Sequence, residues 1–353
     1  MSLKNLRRKI DNLDQEMIEL LNKRANITLN IARLKRETGK SFYSPDRERE
    51  VLNKIASINK GPLRYSALEA IYREIMSASL SLEESLKIAY LGPEATFTHL
   101  AALRRFGSQV KYIASNNIAD VFLDVEKDVA HYGVVPIENT IEGAVTHTLD
   151  MFMDSDLRIC AQIILDVAHN LLANCPQEKI KRVYSNPQVF GQCRIWLQEN
   201  LPNADTIEVS STTRAAQIAA REKNSAAIAS LLAAKVYKLK IIASDIEDSP
   251  HNITRFLVIG KTEVPQTGSD KTSVMFSIKD RVGALHDMLL PFKKYRINLT
   301  KIESRPSKKK AWEYYFFVDL EGHQDNIKVK KALLELENRC AFLKVLGSYP
   351  VGE

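Results

Sequence analysis

Between residues 3 and 34 the apolar side chains recur every three or four positions: Leu3, Leu6, Ile10, Leu13, Met17, Leu20, then Ile27, Ile31 and Leu34. That spacing predicts one long helix with a heptad seam, and Gly39 is placed to close it. Counting the seam forward from Leu20 lands on Arg24, where an apolar residue is due. An arginine there is either a register device that snorkels at a bundle surface or a cation held inside to bind an anion. Lys35 falls three turns further along nearly the same face. Arg7 lies about 17 residues before Arg24, roughly 25 Å along the axis, too far for one small ligand to touch both from a single straight helix. If both serve one site, Arg7 comes from a second copy packed antiparallel, and the protein is a dimer.

A second helix is expected after SFYSPDRERE, with Ser44 as N-cap and Pro45 in the first turn. A third runs from about Arg64 to Glu84. From LKIAYLGPEATF onward the pattern changes to strands alternating with helices, the grammar of an α/β domain. Within it, LRICAQIILDVAHNLLA reads as a strand crossing between two lobes, with a return pass near residue 245. Two lobes joined this way leave a cleft. The stretch HNITRFLVIG ends the series, and its apolar strand opens on His251, Asn252, Thr254 and Arg255. Desolvating so many hydrogen-bonding groups is costly unless each finds a partner, so they either knit a loop or face a polar ligand. After the polar linker EVPQTGSDK, a third segment reads strand, helix, strand, strand, helix, strand.

A chain of 353 residues accommodates two or three domains. No stretch is long and apolar enough to cross a bilayer, and the basic N-terminus lacks the apolar core of a secretory signal. Cys160, Cys175, Cys193 and Cys340 are scattered, which argues for reduced cytoplasmic thiols and against a zinc site. The net charge of +7 is spread out except at Lys308, Lys309 and Lys310, read as a solvated hairpin tip. Such a balance suits small polyanionic substrates as well as nucleic acid. There is no GxSxG, and His99, His131, His147, His169 and His251 sit in no triad-like setting. GPEATF lacks the repeated glycines and Lys-Ser/Thr ending of a phosphate loop.

The set LRRKIDNLD, NKR, ARLK, SPDRERE and SASLSLEE resembles the all-helical, dimeric chorismate mutase domain. The resemblance implies substrate-carboxylate ligands at Arg24, Arg47 and a partner chain's Arg7, an ether-oxygen ligand at Lys35, and a ring-hydroxyl contact at Glu48. Ser79 and position 83 face the site from the third helix. The rearrangement of chorismate to prephenate is pericyclic and needs no nucleophile, metal or cofactor. Arginines suit its carboxylates as bidentate donors, and a lysine suits charge building on the ether oxygen. Some members have glutamine where this chain has Glu83. A carboxylate cannot donate, so Glu83 would have to carry a proton, and mutase activity should fall as pH rises.

YLGPEATFTHLAA, VVPIENTIEGAVTHTLD, SNPQVFGQC and HNITRFLVIG together resemble prephenate dehydratase, a two-lobed domain similar to type II periplasmic-binding folds. The resemblance implies Thr254 as hydroxyl donor to the departing C4 oxygen and Asn139, Ser185 and Gln192 as substrate ligands, with Glu138 and Arg255 nearby. Ser185 could also serve as N-cap of the helix opened by SNPQ. GALHDML and INLTKIESRP resemble the phenylalanine-binding ACT domain, of ferredoxin-like fold. They carry the effector site on Gly283, Ala284, Leu285, His286, Glu303, Ser304 and Arg305, with Asn298 as a plausible neighbour. Val282 stands where many members have proline. The expected organisation is a mutase domain over 1–85, a dehydratase domain over 86–262 and a regulatory domain over 270–353. The whole would be a cytoplasmic enzyme turning chorismate into phenylpyruvate under phenylalanine feedback, binding neither nucleic acid nor membrane, as a homodimer or homotetramer. The rival class is a ligand-sensing regulator whose basic helices bind DNA. Against it, the first segment has no compact helix-turn-helix. A further reading keeps the dehydratase and makes the helical segment a degenerate dimeriser.

Overall fold

The computed structural model describes residues 2–38, 43–83, 85–249, 251–278, 281–307 and 313–351. Gly39 and the lysine run at 308–310 lie outside the described residues. The chain divides into two compact units, residues 1–87 with 106–111, and residues 88–105 with 112–353. No helix among the described residues is long and apolar enough to cross a membrane.

The first unit is built on α1 (Leu3–Thr38), α2 (Pro45–Ile58) and α3 (Tyr65–Glu83). α1 is one unbroken helix of 36 residues, as its heptad spacing predicts. Its buried residues are Thr28 and Ala32, while Leu13, Met17, Leu20, Ile27 and Leu34 are each more than half exposed in the single chain. The face turned to α3 therefore runs through Arg24, Thr28, Ala32 and Lys35, beside the apolar stripe. Arg24 keeps the heptad register of the seam, seven residues from both Met17 and Ile31, and stands where the stripe meets α3, bonded to Ser79. Ser44 occupies the N-cap position of α2 but caps nothing, because its hydroxyl donates to Asp46 Oδ1 at 2.7 Å. Pro45 needs no cap, having no N–H to satisfy.

The second unit holds three sheets. Its first part comprises β1 (Lys87–Leu91), α4 (Phe97–Phe106), β2 (Lys111–Ser115), α5 (Ile118–Glu126), β3 (Tyr132–Asn139), β4 (Gly143–Ala144), α6 (Thr146–Asp154) and β5 (Arg158–Asp166). The chain then crosses through 167–169 into β6 (Asn170–Ala173), β7 (Arg182–Ser185), α7 (Pro187–Gln192), α8 (Arg194–Asn200), β8 (Asp205–Glu208), α9 (Thr212–Ala219), β9 (Ser225–Ala229), α10 (Leu231–Tyr237) and β10 (Lys240–Ala243). It returns as β11 (Ile253–Gly260). The sheets are ordered β2-β1-β3-β11-β5 and β10-β6-β9-β7-β8. β11 lies antiparallel between β3 and β5, so the segment that opened as a polar strand entrance is central to its sheet. The expected single crossing strand is two strands, one in each sheet, with the break at Val167–His169.

The third sheet contains β12 (Asp270–Ser277), β13 (Leu299–Pro306), β14 (Tyr314–Glu321) and β15 (Phe342–Pro350), with α11 (Ala284–Lys294) and α12 (Ile327–Glu337) in the expected order. Its strands run β13-β14-β12-β15, all antiparallel. Side chains alternate across it. Val274, Phe276, Val318 and Leu320 pack under the helices. Met275, Phe317, Leu346 and Tyr349 point the other way, into one core with Phe152, Leu157, Ile159, Leu257 and Ile259. The backbones meet closely there, since a Cβ on Gly347 would stand 2.3 Å from the Ile159 carbonyl oxygen.

Arg255 crosses this seam with 6% of its surface exposed. Its Nη1 donates to Asp319 Oδ2 at 2.6 Å and to Glu138 Oε1 at 2.9 Å, and its Nη2 to the Tyr349 hydroxyl at 2.8 Å. Tyr349, as acceptor there, passes its own proton to Ser273 Oγ at 2.6 Å, and Ser273 donates to Asp319 Oδ1 at 2.5 Å. The ring closes on the carboxylate it began with. Removing one partner of a buried ion pair strands the other charge, which costs about 3–5 kcal/mol. Asp319→Ala should therefore lower the urea midpoint of the second unit sharply, with Asp319→Asn falling between it and the wild type. An unchanged midpoint for Asp319→Ala would show that the ring does not hold the two sheets together.

Candidate active site

Register puts Thr254 of β11 directly opposite Asn139 of β3, and Arg255 opposite Glu138. Adjacent strand positions face opposite sides of a sheet, so the first pair turns to the cleft between the lobes and the second to the third sheet. Asn139 Nδ2 donates to Thr254 Oγ1 at 2.8 Å and to Asn252 Oδ1 at 2.7 Å. Asn252 Nδ2 donates to Gln192 Oε1 at 3.0 Å, and Gln192 Nε2 to Glu142 Oε1 at 3.3 Å. His169 Nε2 stands 2.7 Å from the same Gln192 oxygen. Beside this chain of groups lies a cavity of about 430 Å³, lined by Glu142, Gln188, Gln192 and Glu247 among others.

The direction of these bonds is fixed from one end. The backbone N–H groups of Ile141 and Glu142 reach the Asn139 side chain at 2.9 and 3.0 Å, and an N–H can only donate. Oxygen must therefore face them, which leaves the Asn139 amide nitrogen for Thr254. Thr254 accepts that bond, so its own hydroxyl proton is available to a further acceptor. A hydroxyl poised as donor at a cleft can stabilise a departing oxygen.

The sequence expectations fare unevenly. Thr254, Asn139 and Gln192 are brought together. Ser185 is not: it is fully buried, and its hydroxyl donates to the Ile228 carbonyl at 3.0 Å. Nor does it cap α7, whose N-cap is Asn186, accepting from the Val189 N–H. Glu138 and Arg255 do not face the cleft, as strand alternation requires. Burial would raise the Glu138 carboxyl, but Lys301 and Arg255 bonded to it hold it below the usual range. Asn252, His169 and Glu142 belong to the site and had no assigned role. Asn252 could have been found by period two from Thr254, and His169 as the histidine at the point where the crossing passes between the lobes.

In the first unit, Arg24 Nη1 donates to Ser79 Oγ, and Lys35 Nζ lies 3.3 Å from Glu83 Oε2. Ser79 and Glu83 are one turn apart on α3, and both are buried. The two pairs make a charged patch between α1 and α3. Arg36 donates to the Glu83 carbonyl, anchoring the end of α3. Glu48 is tucked against Arg73 at 3.6 Å. Arg47 is apart from this patch, largely exposed and paired with Glu50 at 2.7 Å. Arg7 is exposed near the far end of α1.

In the third sheet, Gly283 has φ +76°, a left-handed turn suited to glycine at the start of α11. Ala284 is buried, Leu285 and His286 are exposed, and Val282 is fully exposed. Ser304 pairs with Phe316, which pairs with Phe276, so it lies at the Gly283 end of the sheet. Asn298, bonded to Glu321 at 3.0 Å, is at the other end, about 20 Å away along β13. Within one chain these groups do not meet. Glu303 and Arg305 alternate with Ser304 and face the other side, where Arg305 Nε donates to Asp150 Oδ1 at 3.1 Å. Among the described residues no group of three His, Cys, Asp or Glu is placed to hold a metal ion.

Three family models match in order: chorismate mutase type II over residues 6–84, prephenate dehydratase over 88–264, and the ACT domain over 272–338. The bifunctional chorismate mutase/prephenate dehydratase of Aquifex aeolicus is 52% identical, over 99% of this chain and 98% of its own. That of Pseudomonas aeruginosa is 45% identical, over 99% and 97%. The crystal structure of prephenate dehydratase from Arthrobacter aurescens, in complex with L-Phe, is similar at 33% identity and a TM-score of 0.71, covering 75% of this chain and 90% of that one. The chain belongs to the family of bifunctional chorismate mutase/prephenate dehydratases with an ACT domain.

Proposed function

We propose that this protein converts chorismate to prephenate in its first unit and prephenate to phenylpyruvate in the cleft of its second, under feedback by phenylalanine. The observation that carries the reading is the Asn139–Thr254 pair, in which Thr254 accepts and so keeps its hydroxyl proton for a further acceptor, within a network that reaches the cavity at Gln192. The domains we assign are 1–85, 86–262 and 270–353, the last a ferredoxin-like ACT domain in view of its strand order. Free thiols at Cys160, Cys175, Cys193 and Cys340 fit a cytoplasmic setting.

For the dehydratase step, the bond from the ring to its carboxylate breaks, carbon dioxide leaves, and the electron pair enters the ring. Aromatisation expels the C4 oxygen as hydroxide. Thr254 donates to that oxygen as charge builds on it, and Asn139 and Gln192 orient the substrate. Ser185 takes no part in that step, its hydroxyl tying β7 to the Ile228 carbonyl of β9. Thr254→Val should cut phenylpyruvate formation on the order of a hundredfold or more while leaving the mutase intact. A mild loss would reject the donor role.

For the mutase step, Arg24 and the Arg7 of a second copy take the carboxylates, with Arg47 closing over them. Ser79 supports Arg24, Glu48 meets the ring hydroxyl, and Lys35 stabilises charge on the breaking ether bond. Glu83, 3.3 Å from Lys35 Nζ, completes the same end of the site. Glu83→Gln, whose amide can donate to the ether oxygen, should keep mutase turnover within about threefold of wild type, while Glu83→Ala should lower it about tenfold or more. Equal losses in the two variants would remove the donor role from position 83.

The exposed stripe of α1 fits an antiparallel homodimer, which would bring Arg7 of one chain to Arg24 of the other. Arg7→Ala and Arg24→Ala chains, each inactive as mutases, should regain activity when unfolded and refolded together. About a quarter of the wild-type rate is expected, since half the dimers are mixed and each has one intact site. No recovery on mixing would place both arginines in the same chain's site. The effector residues call for a second chain as well: Asn298 lies too far from Gly283–His286 and Glu303–Arg305 to join them, unless the β13 edges of two chains approach.

A further inference from the structure

His169, like Asn252 and Glu142, belongs to the cleft network without an assigned part in the reaction. It lies in the crossing between β5 and β6 and is 2% exposed. Three contacts fix it, two on the ring and one on the backbone. Phe97 meets it edge-on at 5.7 Å, its backbone N–H donates to Glu247 at 2.8 Å, and its Nε2 reaches Gln192 Oε1 at 2.7 Å. Nδ1 is buried without a hydrogen-bond partner among the described residues.

The position of the imidazole proton follows from the network. With Asn139 fixed by two backbone donors, Asn252 must turn its nitrogen to Gln192, and Gln192 must answer with oxygen. A ring nitrogen 2.7 Å from that oxygen has to carry hydrogen, because two lone pairs would otherwise face each other. The alternative tautomer would also bury an N–H on Nδ1 with nothing to accept it, which costs more than an idle lone pair. Burial lowers the pKa of the ring, although the bond to Gln192 and the charge of Glu247 oppose the shift. The ring is therefore neutral, with its single proton on Nε2.

We propose that His169 is a positioning residue of the dehydratase site: its Nε2–H, with Asn252, pins the oxygen of the Gln192 amide and so turns the NH₂ group toward the cavity. The inference rests on reading that cavity as the prephenate site. Prephenate carries two carboxylates, and an amide presenting its nitrogen attracts them where an amide presenting its oxygen repels them. Without His169 the amide keeps Asn252 at its oxygen and a longer bond, 3.3 Å, from its nitrogen to Glu142. With His169 the oxygen has two donors, and the shorter bond of the two is the one from the ring.

The test compares two amides of different reach in the full chain. Gln at position 169 can place a nitrogen near the Nε2 site, while Asn reaches only the Nδ1 position. His169→Asn and His169→Leu should raise KM for prephenate about tenfold with a smaller effect on kcat, and His169→Gln should stay within about threefold of wild type. In a Gln192→Ala background, His169→Leu should add less than about twofold, because the group it positions is gone. Mutase activity of the same preparations reports that the chain is intact. The proposal is overturned if His169→Gln is as impaired as His169→Asn, if His169→Leu leaves KM unchanged, or if its penalty multiplies fully with that of Gln192→Ala. An unchanged KM in Gln192→Ala alone would overturn the reading of the cavity itself, and this proposal with it.

Discussion

Arg255 is a charge taken out of water, and the architecture of the second unit follows from keeping it paired. An unpaired guanidinium in that position would be prohibitive, so the third sheet must supply Asp319 and Tyr349 at the right height, and β3 must supply Glu138. Burial works against the charge, while Tyr349, Asp319 and Glu138 more than restore it, leaving Arg255 firmly protonated. Lys301, bonded to Glu138, adds a second cation that the same two carboxylates balance. Apolar packing around Phe317, Leu346 and Ile159 gives the seam most of its area. That packing tolerates sliding, whereas a closed ring of hydrogen bonds has one geometry, so the ring sets the register of one sheet on the other.

The same strand carries both consequences. Thr254 and Arg255 are neighbours on β11, and their register partners Asn139 and Glu138 are neighbours on β3. A shift of either strand that disturbs the seam must therefore also move the pair facing the cleft. β13 contributes Lys301 to Glu138 and Arg305 to Asp150 on α6, whose Thr148 donates to the Pro136 carbonyl of β3. The effector motif and the dehydratase site are thus joined at the shoulders of one strand pair. Feedback requires two states that differ in effector affinity, and these contacts are where such states can differ.

Much of this was legible in the sequence, and the misses have a common physical origin. Periodicity located α1, the two lobes, the crossing strands and the six elements of the third segment, because each element's burial pattern repeats along the chain. What failed were assignments resting on a residue's type rather than its direction. Glu138 and Arg255 were grouped with the cleft although they alternate with Asn139 and Thr254. Ser44 and Ser185 have the composition of N-caps, but a hydroxyl donates wherever a closer acceptor lies, here Asp46 and Ile228. His169 was set aside because it had no neighbours in sequence that suggested chemistry. Its partners come from α7 and from the loop before β11, a meeting that only the fold creates.

The three sites differ in how much of a site one chain can make. The hydrogen-bond network of the cleft forms within one chain, since β3, β11, α7 and the crossing at 167–169 all belong to a single pair of lobes. The two outer sites are split by geometry: Arg7 from Arg24 by the length of α1, and Asn298 from Gly283 by the length of β13. In the dimer proposed above, two of the sites draw on a second chain and the cleft network does not. An effector bound between chains would act on the strand that carries Lys301, and through Glu138 and Arg255 on the strand pair whose other face is the cleft. Control by assembly and catalysis within a chain are thereby separated, with β11 as the element they share.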